Sequence, residues 1–481
     1  MTASINIPRA VSLAATFILS LIAAVYFEKY YLVLLPFLLL LGYLGWNYPQ
    51  YVFYLLLLSL PFSFEYNFSP ELGTDIPDEA LMLLTGLLFI AVFIYDRSQK
   101  TKDKFRHPLI FLLVIHFAWI ITSSLLSSDQ LVSIKYSLSK SWYLAAFVLA
   151  PLILFRDKRS ILLAAKLLVG AMITVVVVIM IRHGQQGFHF RTVNEAVSPF
   201  FRNHVNYSSM LVCLLPVIFG LYIACRNRRT RFFLLTAILV LLAALFFSYA
   251  RGAWLALVSG AVAMGLIYKK RIITAFFACI LLLLALVQWL RSVDRYMQFA
   301  HQYKSTIFHE NFQEHLVATY QLKDVSTAER FYRWIAGVRM SGEKPLTGFG
   351  PNTFNQHYKP YAVPAFKTWV SDNRDRSTVH NYFLLVLIEQ GIPGLLFFLL
   401  LLGAMLYYAQ NLYHRAKDVN YKIMAMVIGV IIVMVATVNF LSDLLETDKV
   451  GSVFFLCLAV LVAMDYQLKH SEPPTHIERI A

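Results

Sequence analysis

Apolar residues run through this chain in long blocks, not in the alternation of a surface strand or the single stripe of a water-soluble helix. Ile161–Ile181 is interrupted only by Lys166, and Leu395–Leu402 lies inside a longer apolar stretch. A helix needs about 20 apolar residues to cross roughly 30 Å of hydrocarbon. Such blocks predict spans near 11–27, 31–46, 50–64, 78–95, 108–126, 138–155, 161–181, 204–225, 232–249, 252–268, 272–290, 381–408, 421–441 and 450–468. The expected fold is all-α and polytopic, with about 12–14 transmembrane helices; the short early blocks are the weakest of the set. The block 11–27 has the length of a signal-peptide core, but further spans follow it at once, so it reads as a retained first helix.

The polar stretches between the blocks divide into two kinds. Arg97, Lys100, Lys102, Lys104 and Arg106 share one connection; Arg156, Lys158 and Arg159 another; Arg226, Arg228, Arg229 and Arg231 a third; Lys269, Lys270 and Arg271 a fourth; Arg415, Lys417 and Lys422 a fifth. With these spans all five fall on one side, together with both termini, which the positive-inside rule makes cytoplasmic. The outer side then holds a medium connection, 182–203, and a large one, 291–380. The expected organisation is four segments: 1–203, amino-terminal spans; 204–290, central spans; 291–380, the large outer loop; 381–481, carboxy-terminal spans and a cytoplasmic tail. Within the large loop, 295–322 reads as largely helical. Ser326 and Glu329 form an S-x-x-E capping box, whose helix should run to about Ser341 and stop at Gly342.

Composition agrees with this pattern. The 481 residues are 59% hydrophobic and 14% charged. A soluble domain averages about 25% charged. The formal charge of +15 does not point to nucleic acid, because the basic residues gather in short loops between spans. Cys213, Cys225, Cys279 and Cys457 lie in or at the ends of spans without metal-ligand or disulfide spacing.

Candidate chemistry sits at the outer boundary. Arg251, in Ser248-Tyr249-Ala250-Arg251-Gly252-Ala253-Trp254, is held between two spans. It is either a snorkelling side chain or a phosphate ligand, since its planar fork matches phosphate oxygens bidentately. Arg202 opens the eighth span, where a phosphate would also meet free helix amides. Arg330, Arg333, Trp334 and Gly337 share one helix face: a solvated surface with one docked tryptophan, or a basic wall toward an anionic substrate. Pro345-Leu346-Thr347-Gly348-Phe349-Gly350-Pro351-Asn352 is a fixed turn with accessible amides, a weak phosphate-binding signal. His380-Asn381 closes the large loop at the mouth of a span, where a histidine can act as a general base. Acidic candidates are few: Asp75, Asp78 and Glu79 read as a solvated helix start or a divalent-cation site, while Asp372, Asp375, Asp443 and Glu446 lie near the outer boundary. No D-x-D sequence occurs, so metal-dependent transfer from a nucleotide sugar is not signalled.

These residues, in this order, resemble the O-antigen ligase / O-antigen polymerase superfamily. The matching stretches are Ser248–Ala256, Glu329-Arg330 with Trp334, Pro345–Gly350, and His380–Leu384 followed by Glu389-Gln390-Gly391-Ile392-Pro393-Gly394; together they span roughly 200–410. The resemblance implies an inverting, metal-independent glycosyltransferase without a cofactor, in a bacterial inner membrane with its active site facing the periplasm. Its donor would be a glycan on undecaprenyl pyrophosphate and its acceptor a hydroxyl, in a ligase that of the lipid A–core oligosaccharide; membrane lipids surround it and nucleic acid plays no part. Arg251 and His380 carry over as catalytic residues, and Arg202, Arg330, Arg333, Trp334 and Asn381 as substrate-binding ones. A second histidine beside His380 is missing, which leaves a polymerase of the same superfamily as the alternative to a ligase; a protein-hydroxyl acceptor is a third. A transporter or flippase would show paired repeats and ionisable residues inside spans, whereas here the charges gather at the outer boundary.

Overall fold

The computed structural model describes residues 35–69, 72–95, 99–299, 325–368, 370–373 and 377–471, with Leu19, Ser20, Ile22 and Tyr26 as isolated positions. The first expected span and most of the expected helix at 295–322 lie outside the described residues. Helix α1 is Leu35–Asn47, and α2 is Pro49–Ser59, continued by a 3-10 turn to Phe62. A short antiparallel hairpin follows, β1 Phe64–Ser69 and β2 Leu72–Ile76, with Phe64 opposite Ile76 and Glu65 opposite Asp75.

Among the described residues, 11 helices are long and apolar enough to cross a membrane. They are α3 Asp78–Tyr95, α4 Pro108–Leu125, α5 Gln130–Leu154, α6 Lys158–Gln185, α7 His204–Ala224, α8 Arg228–Phe247, α9 Arg251–Tyr268 and α10 Ile272–Arg291. After α11, the loop helix Val325–Ser341, come α12 Tyr382–Arg415, α13 Val419–Phe440 and α14 Asp448–Ser471. From residue 78 onward every expected apolar block corresponds to one of these helices, and the chain is an all-α polytopic membrane protein. The largest boundary difference is at α5. Helix α5 starts at Gln130, well before 138, because the Asp129 carboxylate accepts the Val132 amide at 3.2 Å and caps it. Its first turns carry Ser133, Lys135, Ser137 and Lys140, which hid them from a hydropathy reading.

The bundle has two distinct polar faces. On one, Lys158 pairs with Asp418, and Asp465 gathers His107 at 3.4 Å and Arg415 at 2.7 Å. The other carries the hairpin, the 182–203 connection and the large loop, and is called the loop face below. Helix α14 is buried along most of its length, whereas Ile272 is the one buried residue of α10, which stands at the rim. Apolar side chains on such a rim face lipid, where the helix satisfies its own backbone. Helices α9 and α13 approach closely at Gly260, where a Cβ would lie 2.9 Å from Met434 Cγ. Small residues commonly allow such contacts in membranes.

The large loop is not a free appendage. Tyr332, Ala336, Met340, Phe349, Phe354, Tyr358, Phe366 and Val379 form a second core together with Leu385 and Ile388 of α12. The loop is locked to α12 by a kink. Gly391 takes φ 71°, a conformation that glycine adopts freely. Pro393 has no amide to offer the Glu389 carbonyl. The freed carbonyls accept loop groups instead: Ile388 O from the Phe349 amide at 3.0 Å, and Glu389 O from the Gly350 amide at 2.9 Å. Gln390 O takes the Trp119 indole at 2.8 Å, while the Ile392 amide donates to Pro345 O at 2.7 Å.

Candidate functional site

The loop-face end of α13 is the point on which most of the sequence candidates meet. After Phe440 the chain passes through Leu441, Ser442 and Asp443 into the 3-10 turn Leu444–Glu446, and then enters α14. Four elements close on that short stretch. From α9, a Cβ on Gly252 would touch Leu441 Cδ1 at 3.5 Å, so Arg251 beside it sits at this end of the bundle. From α11, Arg330 Nε donates to the Leu441 carbonyl at 3.1 Å, and the Trp334 ring lies 5.7 Å from that of Phe440. From the end of the large loop, the Tyr382 amide donates to Ser442 O at 2.9 Å and the Thr378 hydroxyl to Asp443 Oδ2 at 2.6 Å. His380 Nδ1 faces the other oxygen, Oδ1, at 3.7 Å. That separation is within ion-pair range but longer than a hydrogen bond.

Backbone geometry at the two leading candidates is unusual. His380 itself has φ 53°, and Tyr249, two residues before Arg251, has φ 55°. A side chain in the left-handed region costs of order 1–3 kcal/mol and persists only when its surroundings hold it there. Tyr249 is held by its hydroxyl, which donates to Phe188 O at 2.6 Å, and by the Phe190 ring at 5.5 Å. His380 is held between the Thr378–Asp443 contact and Asn381, whose side chain caps α12 by accepting the Leu384 amide at 3.0 Å.

Charge at the site is divided between acid and base. Burial pushes the Asp443 carboxyl up, but His380 and the Thr378 hydroxyl outweigh burial and leave it below the usual carboxylate range. A charged Asp443 faces the Nδ1 edge of His380 and favours a proton on that nitrogen, leaving Nε2 as the acceptor edge. Arg251 is the first residue of α9, and no side chain caps that helix end.

The remaining candidates fall into different places. Arg333 is buried, donating Nη2 to Glu329 at 3.2 Å and Nη1 to Thr378 O at 3.1 Å. Glu329 also accepts the Thr368 and Ser371 hydroxyls. Its carboxylate thus serves this buried pair, while the Ser326 side chain of the expected capping box lies outside the described residues. The loop helix ends at Ser341 as expected. Gly337 on the same face packs against Ile388 of α12. Among the described residues, none of the contacts at the α13 turn involves Arg202, which is exposed just before α7. Asp372 is exposed and 3.8 Å from Lys367; Asp375 lies outside the described residues. The Gly348–Gly350 turn differs from the expected accessible cradle. Its amides are taken by Lys344 O, Ile388 O and Glu389 O, and the Asn352 and Phe354 amides by the Glu389 carboxylate at 2.8 and 3.1 Å. The G-x-G therefore fastens the loop to α12.

Two pairings were not legible in the sequence. Asp443 looked like any acid after a span, and only the fold sets it against His380. Lys140, buried in α5, lies 3.3 Å from Glu446, which also accepts the Tyr136 hydroxyl at 2.9 Å. An ionisable residue inside an apolar span was the available signal.

Residues 235–399 match the family model described as O-antigen ligase. That stretch, residues 235–399 of 481, supports membership of the O-antigen ligase / O-antigen polymerase superfamily. No curated protein matches it. The matched stretch includes Arg251, Arg330, Arg333, Trp334, His380, Asn381 and the α12 kink, and it leaves out Arg202 and Asp443. The match supports a glycosyltransferase-type activity of the ligase or polymerase kind, on lipid-linked glycans in a membrane.

Proposed function

We propose that this chain is an O-antigen ligase of a bacterial inner membrane, moving a glycan from undecaprenyl pyrophosphate to a hydroxyl of lipid A–core oligosaccharide. The loop face lies in the periplasm, opposite the basic connections. The observation that carries the reading is the meeting of Arg251 and the His380–Asp443 pair at the turn after α13.

The pyrophosphate binds at Arg251 and the uncapped start of α9, where fork and helix dipole both favour phosphate. Negative charge grows on that leaving group as the anomeric bond breaks. An arginine already in place stabilises this charge without reorganising, so the reaction needs no metal ion. The acceptor hydroxyl attacks from the opposite face of the sugar, and single displacement inverts the anomeric centre. His380 Nε2 takes the hydroxyl proton, or orients the hydroxyl where proton loss is late. Asp443 supports the resulting imidazolium and Asn381 fixes the backbone beneath it. Trp334 and Arg330 line the acceptor side; Arg333 supports the loop from within, and Arg202 meets the donor glycan as it enters.

Lipopolysaccharide from a strain lacking the gene tests the choice of acceptor. A ligase predicts bare core on a gel with lipid-linked polymer accumulating in the membrane. Core carrying a single repeat unit would make the chain a polymerase, the alternative that shares this donor.

A further inference from the structure

A second polar cluster on the loop face lies apart from the residues that carry transfer. Asp75 lies at the end of β2 and Asp78, three residues on, begins α3, while Asp448 begins α14, so two distant stretches of the chain meet here. One carboxylate oxygen from each lies within 4.8 Å of the other two. Asp78 is fully buried. Its Oδ1 accepts the Glu79 amide at 3.0 Å, but Oδ2 is buried with no hydrogen-bond partner. Leaving a carboxylate oxygen dry and unpaired is costly, so this atom calls for a ligand. The neighbouring cation does not supply one: Lys449 donates to backbone carbonyls, of Ser63 at 2.9 Å and of Phe200. Glu79 is engaged by the Thr74 hydroxyl.

The donor set is all carboxylate, which suits hard cations and not zinc or copper. Calcium binds oxygen at about 2.3–2.6 Å, so ligands around one ion stand up to about 5 Å apart, as these do. Magnesium needs a tighter, near-ideal octahedron, which three carboxylates from three elements are less suited to impose. We propose that Asp75, Asp78 and Asp448 bind one calcium ion, which joins the hairpin, α3 and α14 on the loop face. The site is structural: it fixes the start of α14, immediately after the turn that carries Asp443, and it stands whether or not the transfer reading holds.

Full-length protein purified in detergent and stripped with chelator provides the test. Calcium titrated by calorimetry should bind once per chain, with a Kd of about 1 mM or tighter, and should raise the thermal midpoint. Asp75→Asn, at the half-exposed edge of the cluster, should fold and weaken binding at least about tenfold. Asp448→Asn should remove both the binding and the thermal gain. Excess magnesium should displace calcium only weakly. No saturable binding up to about 10 mM calcium, or equal binding by wild type and Asp75→Asn, overturns the proposal. Magnesium binding tighter than calcium overturns the choice of ion.

Discussion

His380 occupies a conformation that few histidines adopt, and its neighbours explain how it is kept there. Asn381 caps α12, the Thr378 hydroxyl holds Asp443, and Asp443 faces Nδ1. His380→Ala should leave donor binding and thermal stability near wild type and lower turnover by roughly 10²–10⁴-fold, the range for a lost general base. Near-normal turnover in a folded His380→Ala protein would exclude that role. The pH dependence of Asp443 has a definite sign. Its carboxyl is held below the usual range. Its stabilising contribution is therefore complete above about pH 4 and is lost as pH falls through the lower folded value. Asp443 thus stays charged between about pH 5 and 8, and Asp443→Asn, which keeps the shape but loses the charge, should lower turnover throughout that window. Unchanged turnover in a folded Asp443→Asn protein would remove the carboxylate from the mechanism. At this scale the sequence was informative about residue type and position but not about partners. Arg330 and Arg333 share a helix face, yet one reaches the α13 turn and the other is buried against Glu329, a distinction made by Thr368, Ser371 and Thr378 on a distant stretch.

Among the elements, the kinked helix α12 links membrane and loop. Its Gly391 and Pro393 were visible in the sequence as part of a family motif, and Gly348 and Gly350 as a turn. That the two motifs bind each other was not visible, because freed carbonyls acquire partners only in three dimensions. A Cβ at Gly391 would run into the Leu346 carbonyl and stand 2.8 Å from that of Pro345. The backbone there also has a conformation that disfavours side chains. Gly391→Ala should therefore destabilise the loop by about 1–3 kcal/mol or more. Limited proteolysis of the purified protein, read at loop fragments, measures this; unchanged protection would show that the kink does not hold the loop. Helix extents were legible because apolar blocks set them, whereas α5 was shortened in the reading by its polar first turns.

Across the whole molecule, charge separates into a basic face with short connections and a loop face where arginines, carboxylates and histidines gather. The apolar blocks made the bundle legible, since length and hydropathy alone decide what crosses a bilayer. The meeting of α9, α11, the loop end and α13 at one turn was not legible, since helix neighbours depend on packing details such as Gly260 against Met434. The orientation proposed from the basic connections is open to a labelling test. Lys359→Cys, exposed on the loop, should react with a membrane-impermeant thiol reagent in cells whose outer membrane alone is permeabilised, in a variant lacking the four native cysteines. Reaction only after the inner membrane is opened would reverse the topology. The proposed transfer is measured most directly with purified protein in lipid vesicles with undecaprenyl-pyrophosphate-linked glycan and lipid A–core oligosaccharide. Glycan should appear on the core, persisting in excess chelator below the thermal transition, and at least about 10²-fold less in Arg251→Ala than in wild type. Lengthened lipid-linked glycan with unmodified core, or transfer by Arg251→Ala at the wild-type rate, would contradict it.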